Sequence, residues 1–141
     1  MLYHFFCLQV TLRRFTRRIT NHSCCSTNQS EGLVASALKV AAVVAYTSSG
    51  YSALRMARER PHVPIIGMTP RAAIARRLAL AWGVYPVLCH EVVDVMEMSE
   101  WAGSTALREG IAVTGDSIVI SAGIPFGTPG TTNLLRIMQI S

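Results

Sequence analysis

From Val40 to Tyr46 the chain is apolar without interruption, and it then breaks into Thr47-Ser48-Ser49-Gly50 before a helical pattern starts at Ser52. A short Val-rich run with no polar alternation suits a strand buried on both faces, as in a parallel sheet. Gly50 lets the backbone turn tightly, and the following helix directs its free N–H groups and the positive end of its dipole back at the loop. Strand, hydroxylated loop and helix N-terminus together make a place where a phosphate can sit. The same Ser/Gly turn also serves in α/β proteins with no ligand at all.

The 141 residues leave room for one domain, and with half of them hydrophobic a real core is expected. No apolar stretch reaches the ~18 residues that a membrane span requires, so no membrane partner is expected. The formal net charge of +5 is unevenly placed: residues 1–31 hold Arg13, Arg14, Arg17 and Arg18 against Glu31 alone. The aromatic residues are not interleaved with the basic ones as a base-stacking surface would need, so nucleic acid is not expected as a partner. Cys7, Cys24, Cys25 and Cys89 form no metal or redox spacing, and Cys89 closes a predicted buried strand. Such cysteine usage suits a reducing, cytoplasmic compartment. His4, His22, His62 and His90 lie too far apart for a zinc pattern.

Residues 1–29 differ in composition from the rest. Leu8, Leu12, Phe15 and Ile19 recur at helical spacing among four arginines, in the manner of a transit peptide. We expect this segment instead to be a misassigned or joined start that packs little against a domain spanning 30–141.

Within that domain the elements alternate. Val34–Lys39 reads as the last turns of a helix. Strand one covers Val40–Tyr46, and helix A covers Ser52–Arg60 with Ala53, Leu54 and Ala57 inward and Arg55 and Arg58 outward. Pro61 stops it. Strand two covers Val63–Met68. Thr69 is suited to N-cap helix B with Pro70 at its first position. Ile74, Leu78, Ala81 and Trp82 then share one face, and Gly83 terminates the helix. Strand three is Val84–Leu88. Helix C spans Asp94–Glu109, with Val95, Met98, Ala102 and Ala106 as its apolar stripe and Gly110 after it. Gly115-Asp116 turns into strand four, Ser117–Ala122. A loop with no helix of its own, Gly123–Asn133, leads to strand five, Leu134–Ile140. Alternating β and α elements imply a parallel sheet covered by helices with right-handed crossovers. The last connection lacks a crossover element, so strand five should run antiparallel to its neighbour.

Several segments carry a resemblance: Tyr46-Thr-Ser-Ser-Gly-Tyr-Ser-Ala53, Ala57-Arg-Glu-Arg-Pro61, Val63-Pro-Ile-Ile66 with Thr69, Ala75-Arg-Arg-Leu78, Gly83-Val-Tyr-Pro86, Gly115-Asp116 and Gly130-Thr-Thr-Asn133. In this order and spacing, from about Val34 to Ser141, the chain resembles the C-terminal domain of pyruvate kinase. The resemblance implies a three-layer α/β/α sandwich with a mixed five-stranded sheet of order 3-2-1-4-5. It also implies a regulatory and tetramer-forming role in an enzyme that converts phosphoenolpyruvate and ADP to pyruvate and ATP in glycolysis. The Mg²⁺ and K⁺ of that enzyme belong to a catalytic (β/α)₈ barrel. A barrel needs roughly 250 residues, which this chain does not have. No cofactor and no catalysis are therefore expected of the chain alone. Glu91, Asp94, Glu97 and Glu100 read as a solvated helix face rather than a metal cradle.

In many members this domain holds a sugar-phosphate activator such as fructose 1,6-bisphosphate. With the implied strand order, travel through the sheet reverses between strands one and four, where ligands of open α/β sheets collect. The pocket is therefore expected between Thr47–Ser52 and Gly123–Thr132, and the matching candidate donors are Thr47, Ser48, Ser49, Gly50 and Ser52, faced by Thr128, Gly130 and Thr131. The amides of Gly50 and Tyr51 and the hydroxyls of Ser49 and Ser52 are expected to donate. The facing loop has no lysine or arginine, so a monophosphate or weak binding is expected. A barrel chain or further copies of this domain are the implied protein partners. A free-standing phosphometabolite module and a ligand-free remnant are the alternatives.

Overall fold

The computed structural model describes residues 39–126 and 132–141. The expectations for residues 1–29 and for a helix over 34–38 lie outside the described residues. The elements run β1 (Ala42–Tyr46), α1 (Tyr51–Glu59), β2 (Ile65–Thr69), α2 (Ala72–Leu78), β3 (Val84–Leu88), α3 (Val95–Arg108), β4 (Ser117–Ala122) and β5 (Leu134–Gln139). They build one five-stranded sheet of order β3-β2-β1-β4-β5. β1 pairs in parallel with both β2 and β4, β2 in parallel with β3, and β5 antiparallel with β4.

β1 is the centre of the sheet, and all five of its residues are buried. Its alternation explains the sandwich. Ala42, Val44 and Tyr46 point to one face and pack with Met98, Ala102 and Ala106 of α3. Val43 and Ala45 point to the other, against Ala53 and Met56 of α1 and Leu78 of α2. A continuous apolar run is what such two-sided burial demands. Each fully buried aliphatic side chain contributes about 1.5–3 kcal/mol relative to exposure.

Some boundaries differ from those the sequence predicts. β1 begins at Ala42 rather than Val40, and Lys39 ahead of it takes a φ of 49°. β2 begins after Pro64 and runs on through Thr69, which is fully buried as the last residue of the strand. The Thr69 hydroxyl accepts from the Arg71 N–H at 3.3 Å, and Arg71, without a side-chain bond, occupies the N-cap of α2. Thr69 therefore closes a local turn instead of capping the helix. Such a turn competes with capping because a threonine hydroxyl reaches a backbone N–H two residues on.

α2 is also shorter than its apolar periodicity predicts. Leu78 is fully buried, but Trp82 is 59% exposed, with the Arg60 guanidinium 5.7 Å from its ring centroid. The residues after Leu78 turn away toward Gly83, whose φ of 74° favours glycine. Leu78 reaches the sheet because residue 67 is glycine: a Cβ there would stand 3.0 Å from Leu78 Cδ1.

Candidate functional site

The loop after β1 is held at both ends by backbone. The Thr47 N–H donates to the Met68 carbonyl at 2.9 Å, and the Leu54 N–H donates to the Gly50 carbonyl at 3.1 Å as the first bond of α1. Between them Gly50 takes a φ of 81° and is the N-cap, with no side-chain cap bond. A Cβ at Gly50 would lie 2.9 Å from Ile74 Cγ2, so close approach of α2 adds to the demand for glycine.

The donors are arranged differently from the expected set. The Gly50 N–H donates to Thr47 Oγ1 at 2.9 Å, and the Tyr51 N–H reaches Ser49 Oγ at 3.4 Å. Both amides are thus turned into the loop, the second by a long bond. Thr47 is buried, and Ser48, Ser49 and Ser52 are half-buried. The side chains of Thr47–Ser52 that can bind are hydroxyls, and the first turn of α1 has no acidic residue. Neutral donors and the positive end of a helix dipole therefore face the loop.

The facing segment approaches from the far end of β4. The hydroxyls of Ser52 and Thr132 lie 2.9 Å apart in a hydrogen bond. Thr128, Gly130 and Thr131 lie outside the described residues, but Thr132 follows them directly. Asn133 closes the base of this loop: its side chain accepts from the Ile124 N–H and donates to the Ile124 carbonyl, each at 2.7 Å. Phe126 stacks edge-on against Tyr46 with ring centroids 5.5 Å apart. The carboxyl end of β1, the start of α1 and the β4–β5 loop thus meet at the strand-order reversal between β1 and β4.

Thr132 and Phe126 lie within the segment Gly123–Thr132 expected to face the loop but are not among the donors named from the sequence, and the Asn133 clamp lies just beyond it. Asn133 belongs to the Gly-Thr-Thr-Asn segment, so its position was marked, though its bonds were not. Nothing in the sequence marks Phe126 as the partner of Tyr46, because the contact depends on how the loop returns to the sheet.

A second polar cluster surrounds the start of α3. Asp94 Oδ1 caps the helix by accepting from the Glu97 N–H at 2.8 Å, and Glu97 Oε2 accepts from the Val93 N–H at 2.9 Å. Glu97 Oε1 also lies 2.6 Å from His90 Nε2. The Val93 N–H and then His90 hold the Glu97 carboxyl below its ordinary range. This cluster ties the β3–α3 loop to the helix. Among the described residues no group of three or more His, Cys, Asp or Glu side chains is arranged to hold a metal ion. No helix among the described residues is long and apolar enough to cross a membrane.

Comparison with known proteins gives a consistent set of matches. The family model described as "Pyruvate kinase, alpha/beta domain" matches residues 28–138. The pyruvate kinase of Methylorubrum extorquens is 44% identical over 108 residues, covering 77% of this chain and 23% of that protein. The pyruvate kinase of Geobacillus stearothermophilus is 44% identical over 104 residues, with 74% and 18% covered. One from Agrobacterium vitis is 45% identical over 107 residues, with 75% and 22% covered. The chain spans about a fifth of the length of these curated relatives.

Proposed function

The chain belongs to the pyruvate kinase family, of which it carries the alpha/beta domain, and we propose that it serves as a regulatory unit that binds a phosphorylated effector. The reading rests most on the Ser52–Thr132 hydrogen bond. That bond brings the first turn of α1 and the segment before β5 to one mouth at the strand-order reversal, where ligands of open sheets collect. In this reading Thr47, Ser48, Ser49, Gly50 and Ser52 hold the anion, with Thr132 opposite Ser52; Thr128, Gly130 and Thr131 are the candidate donors named from the sequence and lie outside the described residues. An entering anion exchanges the 3.4 Å Tyr51–Ser49 bond for stronger charge-assisted bonds.

Catalysis in this scheme belongs to a barrel, on another chain or a longer product, with phosphoenolpyruvate and ADP as its substrates. The domain works in the cytoplasm, as glycolysis does. With no lysine or arginine in Gly123–Asn133, the preferred effector is a sugar monophosphate, bound more weakly than a ligand gripped by a cationic side chain.

Titration calorimetry with inorganic phosphate, a sugar monophosphate and fructose 1,6-bisphosphate tests this on wild type and Ser49→Glu. The substitution places a carboxylate where the anion sits, on an accessible loop that tolerates change. We expect weak binding of free phosphate, tighter binding of the sugar phosphate, and loss of both in the variant. Equal binding by the two proteins removes the loop from the site. No binding by either leaves the Thr-Ser-Ser-Gly turn as structure only.

A further inference from the structure

α3 and β5 meet along one line of side chains. Arg136 and Met138 are two residues apart on β5 and share the face of the sheet that α3 covers. Met96 and Gly103 are seven residues apart on α3 and lie on one stripe of that helix. Gly103 meets Met138: a Cβ there would stand 2.7 Å from Met138 Cε. Two turns earlier Met96 meets Arg136, whose Nη1 donates to Met96 Sδ at 3.3 Å. This second contact is chemically mismatched. A guanidinium is a charged donor, whereas a thioether sulfur is a weak acceptor. Among the described residues the ion pairs are His90–Glu97 and Arg108–Glu109, so no carboxylate there takes the place of the sulfur. Met96 is also 57% exposed, while Met56, Met68 and Met98 are buried. Met138 is half-buried against the core.

We propose that Met96 is a modification site: a hydroperoxide oxidises it to the sulfoxide, and Arg136 holds the product. A sulfur lone pair attacks the terminal peroxide oxygen. The S–O bond forms as the O–O bond breaks, and the sulfur gives up two electrons. The hydroxyl proton of the attacked oxygen passes to the departing one, which leaves as an alcohol, or as water when the oxidant is hydrogen peroxide. The sulfoxide oxygen is a strong acceptor, so the weak N–H···S contact becomes a charge-assisted N–H···O bond. Exposure admits the oxidant, and the unbranched side chain lets the new oxygen swing to the guanidinium. Oxidation ordinarily loosens the packing around a methionine. At Met96 it instead ties the first turn of α3 to β5. The site is separate from the effector loop and does not require it to be occupied.

Hydrogen peroxide treatment of the full chain, read by peptide mass spectrometry and by thermal melts, is the test. Met96 sulfoxide should accumulate about fivefold or more faster than sulfoxide at Met56, Met68, Met98 or Met138, because susceptibility follows exposure. Met96→Leu isolates the effect on stability, since every other oxidation is common to both proteins. The peroxide-induced change in melting midpoint should be more positive in wild type than in Met96→Leu by about 2–5 °C. With Arg136→Leu in both backgrounds that difference should vanish or change sign. Met96→Gln checks the same bond with no oxidant and with Arg136 intact. Its amide carbonyl comes within reach of the guanidinium, and it should melt above Met96→Leu. Oxidation of Met96 no faster than of the other four overturns the proposal. So does an equal peroxide-induced change in wild type and Met96→Leu, or a difference that survives Arg136→Leu. Met96→Gln melting at or below Met96→Leu overturns it as well, even where Arg136→Leu fails to fold.

Discussion

The Tyr46 hydroxyl accepts a hydrogen bond from the Val92 N–H at 3.3 Å, joining the end of the central strand to the loop that leads into α3. Tyr46 is 6% exposed and lies between this bond and the Phe126 ring. Burial raises its pKa above the ordinary value, opposed in part by the Val92 bond, so the group is held as the neutral phenol.

Tyr46→Phe keeps the ring and leaves a buried N–H without its acceptor. The expected cost is about 1–2 kcal/mol in urea unfolding, set by the unsatisfied donor more than by the lost bond. Amide exchange at Val92 should quicken selectively. Unchanged stability together with unchanged Val92 protection would show that this bond holds nothing in place.

Gly50→Ala combines two penalties. The φ of 81° is unfavourable for any side chain, and the new Cβ would stand 2.9 Å from Ile74 Cγ2. Together these should cost about 1–3 kcal/mol. Adding Ile74→Ala removes the close contact but not the backbone strain, so a double-mutant cycle should recover only part of the loss. A fully neutral Gly50→Ala in thermal melts would mean that the loop relaxes without strain.

Asp94→Ala removes the side-chain cap of α3 and should cost about 0.5–2 kcal/mol. Glu97 offers a pH test of the same corner. Its folded pKa is depressed, first by the Val93 N–H and then by His90. The stability it contributes is therefore present above its unfolded pKa and is lost as pH falls through the folded one. Glu97→Gln should flatten that acid-side dependence in melts between about pH 5 and pH 3. The same slope in both proteins would count against the assignment.

Cys89 sets an alkaline limit. Burial pushes its thiol from 9.0 to about 11, and it is 7% exposed at the end of β3. A raised folded pKa means that stability is full below the unfolded value and falls as pH rises through the folded one. The loss over this window should approach about 2–3 kcal/mol. Cys89→Ala should lose the part of the decline between about pH 9 and pH 10, ahead of the tyrosines. An unchanged decline would assign it to Tyr46 and Tyr85, both of which also titrate above the ordinary range.

Much of the architecture was legible in the residues alone. The apolar run over 40–46, the helical stripe from Val95 to Ala106 and the glycines at 83, 110 and 115 each reflect local rules: period, burial and positive φ. These rules act over a few residues, so they survive any tertiary arrangement. The antiparallel β5 was legible for the same reason, because a connection without a helix cannot make a crossover. The order of strands came from resemblance, since no local signal states which strand lies beside β1.

What the local rules missed depends on contacts distant in sequence. Thr69 has the chemistry of an N-cap, yet pairing with β3 through Leu88 keeps it in the sheet. Trp82 continues an apolar helical face on paper, yet α2 has ended by then and the ring lies outside beneath Arg60. The candidate site follows the same division. Its hydroxyls and its glycine are written in Thr47–Ser52, because a tight strand-to-helix turn needs those residue types. The pairing of Ser52 with Thr132, of Tyr46 with Phe126 and of Ile124 with Asn133 joins residues far apart in sequence, and only the placement of β4 and β5 beside β1 brings them together.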